Sequence, residues 1–107
     1  MTTRSEYETA RSVGEYAPSG FDREGFIHCS YANQVVRVAN FLYKGKSDLV
    51  LLEIDRSNVG CEVLDENLDG GKELFPHIYG KLPVSAVFGV HDFPCDGEGL
   101  FTLPADL

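Results

Sequence analysis

The segment at residues 48–55 constrains the fold more than any other part of this sequence. It runs Asp-Leu-Val-Leu-Leu-Glu-Ile-Asp, so its apolar stretch is nearly continuous. Strands of this composition are typically covered on both faces, which places them inside a sheet. Glu53 is the one charge between the two terminal aspartates, and we expect it to be exposed at an edge rather than to act as a pocket carboxylate. The sequence therefore predicts a central strand here.

Short elements are predicted around this strand. Residues 5–16 are expected to form a helix, since Ser5 and Glu8 make a capping box. A second helix follows Ser30 as its N-cap and ends near Tyr43, because its apolar residues recur at helical spacing. The other predicted strands are short and lie at residues 25–29, 59–64, 84–90 and 100–103. Few helices and several short strands predict an α+β fold.

The segment at residues 75–80 is aromatic and rigid. Pro76 cannot donate to a strand ladder, so the segment is expected at a sheet edge or in a turn. Residues 65–72 form an acidic, glycine-rich loop before it. No repeat or change of composition divides the chain, and its 107 residues fit one domain spanning residues 1–107.

Charge and composition exclude several classes of function. The chain has 9 basic and 17 acidic residues, so its net charge is −8. Nucleic acids and anionic membrane surfaces need basic patches, and we expect neither as a partner. No apolar run approaches the roughly 18 residues of a membrane span, and the first residues do not resemble a signal peptide. Three cysteines, an odd number, suggest reduced thiols and a cytoplasmic protein.

Metal binding is not expected. Residues 65–70 match the first half of a calcium-binding EF-hand loop, but Pro76 stands where that loop needs a glutamate. The cysteines and histidines follow no zinc spacing. Cys29 is adjacent to His28 in a predicted strand, so their side chains point to opposite faces. Cys29 is therefore expected to be a small buried hydrophobic residue rather than a nucleophile.

Two histidines lie inside apolar segments. A buried imidazole needs hydrogen-bond partners, or it costs roughly 1–3 kcal/mol of desolvation. His28 and His77 each have a hydroxyl nearby, Ser30 and Tyr79 respectively, which favours a shared pocket. The alternative is that both are satisfied core histidines. His91 is expected on the surface.

Three more side chains complete the candidate pocket. Phe26 shares a strand face with His28. Gln34 lies one turn into the second helix, where it forms either a pocket wall or a capping or solvated residue. Glu66 is one of several acids in its loop, and nothing in the sequence separates it from its acidic neighbours.

Several sequence blocks resemble the small bacterial family DUF952, in order from about Ser5 to Val90. They are FIHCS at residues 26–30, LVLLEID at residues 49–55 and FPHIYG at residues 75–80, with Gln34 and Glu66 between them. The resemblance implies a fold similar to that of ADP-ribosyltransferases, in which a small split β-sheet with two or three short helices surrounds a cleft. NAD lies in the cleft of that superfamily, so the resemblance makes NAD a candidate cofactor.

The resemblance also implies positions for site residues. It places His28 at the second position of the superfamily's triad, on the nicotinamide side, and Glu66, His77 or Tyr79 near the third. Members usually open with a short strand that carries an aromatic residue and a histidine. No histidine precedes His28 here, and that strand is expected to be missing. Its loss would disfavour NAD and expose a sheet edge.

Three functional hypotheses follow. In the first, the protein is an enzyme acting on a nucleotide-like or other small metabolite, with His28, His77 and Glu66 as catalytic groups. The substrate-binding residues would be Ser30, Gln34, Tyr79 and Phe26. In the second, the same pocket binds a ligand without catalysis. In the third, the histidines only pack, and a partner chain covers the exposed edge by strand addition, with a homodimer as one form.

Overall fold

The computed structural model describes residues 1–68 and 70–107, and within them the chain forms three small antiparallel sheets and three α-helices. Asp69, in the predicted acidic loop, lies outside the described residues. The strands are β1 (Thr2–Thr3), β2 (Glu15–Tyr16), β3 (Ile27–His28), β4 (Leu49–Ile54), β5 (Val63–Glu66), β6 (Phe75–Ile78), β7 (Leu82–Pro83) and β8 (Val87–Asp92). The helices are α1 (Arg4–Val13), α2 (Phe21–Glu24) and α3 (Ala32–Leu42). The predicted α+β class is confirmed.

Strand β4 lies between β1 and β8, as its apolar composition predicts. Its first three residues, Leu49, Val50 and Leu51, are buried. The prediction for Glu53 is wrong, since this residue is half-buried and its carboxylate bonds Nε2 of His91. His91 is correspondingly not a free surface residue, because it sits on the neighbouring strand β8 directly beside β4.

The helix starts differ from those predicted. The N-cap of α1 is Thr3, whose Oγ1 accepts the backbone N–H of Glu6 at 3.2 Å, so the helix does not begin at Ser5. The N-cap of α3 is Tyr31 rather than Ser30. In both cases the predicted helix is present, and its start is displaced by one or two residues, which is the usual precision of a capping pattern.

Helix α1 also ends earlier than predicted. Gly14 follows it in a left-handed conformation (φ 99°), and its N–H donates to the carbonyl of Ala10 at 2.8 Å, which closes the last turn. Glu15 and Tyr16, which were predicted to be helical, then form β2 and pair with β7.

The first strand is not missing. Thr2 and Thr3 form β1, which pairs with Val50 and Leu49, so the prediction that this strand is absent is wrong. The prediction fails because two residues are too few to leave a strand pattern in a sequence. The strand carries threonines, and His28 remains the first histidine of the chain.

Strand β6 is the middle strand of the order β3-β6-β5, which contradicts the edge or turn predicted from Pro76. The proline is tolerated because the backbone groups of a strand residue point to one side only. The backbone groups of Pro76 point towards β3, which ends at His28. The Pro76 carbonyl accepts the N–H of Cys29, the residue after the end of β3, at 2.9 Å. The missing N–H therefore interrupts no regular ladder.

The C-terminal strand predicted at residues 100–103 is not formed, and this segment is irregular. Burial rather than pairing holds it: Phe101 is 2% exposed and stacks on Phe93 with ring centroids 4.8 Å apart. The backbone N–H of Phe101 donates to Oδ1 of Asn40 on α3 at 2.7 Å.

The core consists of two clusters. One contains Ala10, Tyr16, Ile27, Val59, Ile78, Leu82 and Ala86. The other contains Val35, Ala39, Leu49, Leu51, Phe93 and Phe101. A cleft of about 1070 Å³ is lined by members of both clusters, so it lies between them. No helix among the described residues is long and apolar enough to cross a membrane.

Truncating Phe93 should destabilise the second cluster strongly. Phe93 is 1% exposed, so Phe93→Ala loses ring contacts and leaves a cavity that costs about 3–5 kcal/mol of unfolding free energy. The matched control is Phe41→Ala, because Phe41 is 84% exposed and its truncation should change stability by less than about 0.5 kcal/mol. Urea denaturation followed by circular dichroism measures both. Equal losses would contradict this assignment of the core.

Candidate functional site

Strands β3, β5 and β6 bring the predicted polar residues to one face of their sheet. His28 is paired with His77, so their side chains lie side by side. Glu66 pairs with Phe75, two positions along β6 from His77, and therefore shares the same face. This register brings His28, Glu66 and His77, the three predicted catalytic residues, to one face of the sheet.

His77 is the centre of a hydrogen-bonded group. Its side chain is only 5% exposed, and its Nδ1 lies 2.9 Å from Oε1 of Glu66. The Tyr79 hydroxyl donates to the same carboxylate oxygen. These two bonds, from Tyr79 first and His77 second, lower the pKa of Glu66. The bond to Glu66 raises the pKa of Tyr79, so its phenol stays protonated at neutral pH.

His28 has its own carboxylate partner. Its Nε2 lies 2.8 Å from Oε2 of Glu24, at the end of α2, and its side chain is 57% exposed. The hydrogen bond from His28 lowers the pKa of Glu24. Sequence analysis did not identify Glu24. Gly25, which lies between Glu24 and His28, adopts a left-handed conformation (φ 81°). The sequence signal for this pair is a glutamate four residues before a histidine, with a glycine turn between them.

Phe26 packs against all three rings of this group. Its centroid lies 4.5 Å from that of His77, 4.7 Å from that of His28 and 5.3 Å from that of Tyr79. The two imidazoles meet edge to face, with centroids 5.2 Å apart. We call the outer cluster the set of Glu24, Phe26, His28, Glu66, His77 and Tyr79. It combines one buried and one solvent-facing imidazole, each bonded to a carboxylate.

The predicted single pocket is only partly formed, because His28, Ser30 and His77 line the large cleft, whereas Phe26, Glu66 and Tyr79 do not. Side chains alternate along a strand, so Ile27, Cys29 and Ile78 point away from the face that carries His28 and His77. Those three side chains pack with the first core cluster and line the cleft. His28 and His77 contribute to the cleft wall, but the groups that bond their side chains do not line it.

Ser30 and Gln34 lie apart from the outer cluster. Ser30 lines the cleft. Gln34 is buried and its amide is fully engaged: Oε1 accepts the N–H of Tyr31 at 2.9 Å, and Nε2 donates to the carbonyl of Leu74 at 3.0 Å. Of the two interpretations, the capping role describes Gln34, which also ties α3 to the start of β6.

Comparison with known proteins places this arrangement in a family. The model of the family described as "Protein of unknown function (DUF952)" matches residues 1–90. The chain belongs to the DUF952 family. The crystal structure of protein CC0527 from Caulobacter crescentus is similar, with a TM-score of 0.84 and 31% identity, covering 95% of this chain and 90% of that chain. The solution structure of CC0527 gives a TM-score of 0.83 and 33% identity, covering 98% and 90%. No curated protein matches.

Burial disfavours the thiolate form of Cys29, the cysteine adjacent to His28 in this DUF952 protein. Cys29 is half-buried behind β3, and desolvation by burial raises the pKa of its thiol to about 11. A thiol with this pKa is protonated at neutral pH and is a poor nucleophile. The expectation that Cys29 packs rather than reacts is in agreement with this position.

The outer cluster contains no lysine or arginine that could hold the pyrophosphate of NAD. A pyrophosphate needs cations or free N–H donors, and the hydrogen bonds of the outer cluster join carboxylates, imidazoles and a phenol. In the cleft, Arg37 is bonded to Glu73 and Arg56 to Asp65, so both guanidiniums already have a counter-charge. The first strand has no histidine. The side chains of the outer cluster therefore give no support to NAD as a cofactor.

Glu66 should make the stability of the protein depend on acid pH. Its pKa is lowered from its ordinary value of 4.5, so its contribution is fully present above that value and is lost as pH falls through the lowered folded-state pKa. We expect the unfolding free energy of wild type to fall more steeply on acidification than that of Glu66→Gln. Urea unfolding between about pH 3 and pH 7 measures this difference.

The control for this prediction is Glu98→Gln, which removes an exposed carboxylate outside the outer cluster. This variant should keep the steep acid dependence of wild type. Parallel curves for wild type and Glu66→Gln would show that the bonds to His77 and Tyr79 contribute nothing.

Proposed function

We propose that this DUF952 protein is an enzyme that carries out acid–base chemistry on a small uncharged or cationic metabolite at the outer cluster. The observation that carries the proposal is a pair of imidazoles, each bonded to a carboxylate, with centroids 5.2 Å apart. Acid–base catalysis needs one group that accepts a proton and a second that donates one, and an imidazole can serve in either role.

His77 has the features of the base. The carboxylate of Glu66 accepts a hydrogen bond from Nδ1 of His77. This bond favours the His77 tautomer in which Nε2 carries the lone pair. Because the pKa of Glu66 is lowered, this carboxylate remains ionised and keeps the imidazole oriented throughout a cycle. Tyr79 bonds the same oxygen and fixes the carboxylate from the other side.

His28 has the features of the acid. It is the solvent-facing imidazole of the pair, and Glu24 bonds its Nε2, so Nδ1 is the nitrogen left for a substrate. Phe26 supplies an apolar wall beside both rings, against which a small planar molecule could stack.

The charge of the outer cluster indicates the class of substrate. Glu24 and Glu66 both have lowered pKa values and are ionised at neutral pH. An anionic substrate would be repelled by them, whereas an uncharged or cationic one would not. The net charge of −8 likewise repels anions from the protein surface as a whole.

Binding can be tested with two probes of different charge. We expect nicotinamide, an uncharged ring amide, to shift the backbone amide resonances of Phe26, His28, His77 and Tyr79 in a saturable way. ADP-ribose, which carries a pyrophosphate, should leave them unchanged. Shifts confined to cleft residues such as Leu51, or stronger shifts with ADP-ribose, would contradict the proposed site and its charge preference.

Turnover separates the enzyme from a binding module. For a substrate selected by these titrations, His77→Gln should lower kcat/KM by about 10²–10⁴-fold, since that is the usual contribution of a general base. His91→Gln is the matched control, because His91 lies on another sheet and should leave kcat/KM unchanged. Saturable binding without turnover would instead favour a non-catalytic ligand-binding module.

A further inference from the structure

The Glu66 carboxylate has one oxygen that is fully bonded and one that is free. Its Oε1 lies 2.9 Å from Nδ1 of His77 and also accepts the Tyr79 hydroxyl. A carboxylate oxygen has two lone-pair sites, so these two bonds saturate Oε1. Oε2 bonds no described residue, and the Glu66 side chain is 23% exposed. One anionic oxygen of the outer cluster is therefore left for another molecule.

The second free atom is Nε2 of His77. The His77 side chain is only 5% exposed, yet Nε2 has no hydrogen-bond partner among the described residues. Nor is Nε2 sealed from solvent, since Oγ1 of Thr2 is the one sealed and unpartnered side-chain polar atom in the described part of the chain. Because Nδ1 donates to Glu66, Nε2 of the neutral ring carries the lone pair. A nearly buried imidazole thus presents an acceptor to accessible space.

The oxygen of Tyr79 is also left as an acceptor. The phenol uses its only proton in the bond to Glu66, and its lone pairs remain. We call the acceptor subsite the set of Oε2 of Glu66, Nε2 of His77 and the hydroxyl oxygen of Tyr79. These atoms lie close together, because each belongs to a group that bonds Oε1 or shares its carboxylate. None of them offers a proton, so a ligand has to supply hydrogen-bond donors.

The charge at the acceptor subsite favours a cation. Hydrogen bonds from Tyr79 and then His77 lower the pKa of Glu66, so this carboxylate is ionised at neutral pH. The ion pairs that lysines and arginines make in the described residues join other carboxylates. Glu62 lies nearby and contributes, after the bond to Glu66, to the raised pKa of Tyr79. A ligand that carries both N–H donors and a positive charge complements this surface.

The saturated Oε1 decides between two kinds of cation. A guanidinium or amidinium binds a carboxylate best through two parallel bonds, one to each oxygen. Glu66 cannot accept such a fork, because Oε1 has no lone-pair site left. An ammonium is a compact charge with three N–H donors, and it can bond a single oxygen. Phe26, whose ring centroid lies 4.5 Å from that of His77, offers an apolar surface to the carbon part of the ligand.

We propose that the acceptor subsite binds the ammonium group of a small primary amine, with Oε2 of Glu66 as its counter-charge and the other two atoms as acceptors of its protons. This inference rests on the proposed function, since His77 is the base in both, and it narrows the substrate class from an uncharged or cationic metabolite to a primary amine. A proton that passes from the ammonium to Nε2 of His77 leaves a neutral amine and an imidazolium. The imidazolium keeps its bond to Glu66 at Nδ1.

Three probes that share one aromatic ring and differ in the head group test this inference on the wild-type protein at pH 7. They are benzylamine, benzyl alcohol and benzamidine. We expect benzylamine to shift the backbone amide resonances of Glu66, His77 and Tyr79 in a saturable way. Benzyl alcohol, which lacks the charge, should bind about tenfold more weakly or worse. Benzamidine should also bind more weakly than benzylamine, because Glu66 cannot accept its fork.

A pair of protein variants separates the subsite from general negative charge. Glu66→Gln removes the counter-charge and keeps a side-chain oxygen, so it should weaken benzylamine binding about tenfold or more and change benzyl alcohol binding by less than about twofold. The matched control is Glu62→Gln, which removes an exposed neighbouring carboxylate and should weaken benzylamine binding by less than about threefold. If Glu66→Gln does not fold, the three probes on wild type decide the question.

Several results would overturn the inference. One is binding of benzyl alcohol or benzamidine as tight as that of benzylamine, and another is an equal loss of benzylamine binding in Glu62→Gln and Glu66→Gln. Either result, obtained together with saturable nicotinamide shifts and turnover that depends on His77, would leave the proposed acid–base function standing. If neither nicotinamide nor any of the three probes shifts the resonances of the outer cluster, both the inference and the proposed function are wrong.

Discussion

The alternation of side chains along β6 determines which of its residues join the core and which join the outer cluster. Because β6 pairs on both sides, with β3 and with β5, its alternating residues are sorted to two faces without freedom to shift register. Ile78 joins the core and the cleft wall, while His77 joins Glu66 on the opposite face. One strand thus supplies an apolar side chain to the core and a buried imidazole to the outer cluster.

The burial of His77 is tolerated because its partner is arranged by the same pairing. An imidazole with 5% exposure and no partner would cost roughly 1–3 kcal/mol. The β5–β6 register brings Glu66 within bonding distance, and Tyr79, just beyond the end of β6, completes the carboxylate's hydrogen bonds. A polar group of this kind restricts the sheet to one register, since a slip by one residue would leave His77 buried without a partner.

Local features of this protein were predictable from the sequence, and features set by distant pairing were not. The apolar run of β4 and the helical spacing of α3 gave nearly the observed bounds. The apolar segments around His28 and His77 singled out both histidines of the outer cluster. The central place of β6 was missed, since Pro76 argues against it and only the early end of β3 removes the objection. The bond between Glu53 and His91 spans 38 residues and follows from the β4–β8 register alone. Glu24 is an exception, since it is a local feature that was not predicted. It lies four residues before His28, and a search for carboxylates on the other side of a glycine turn would have found it.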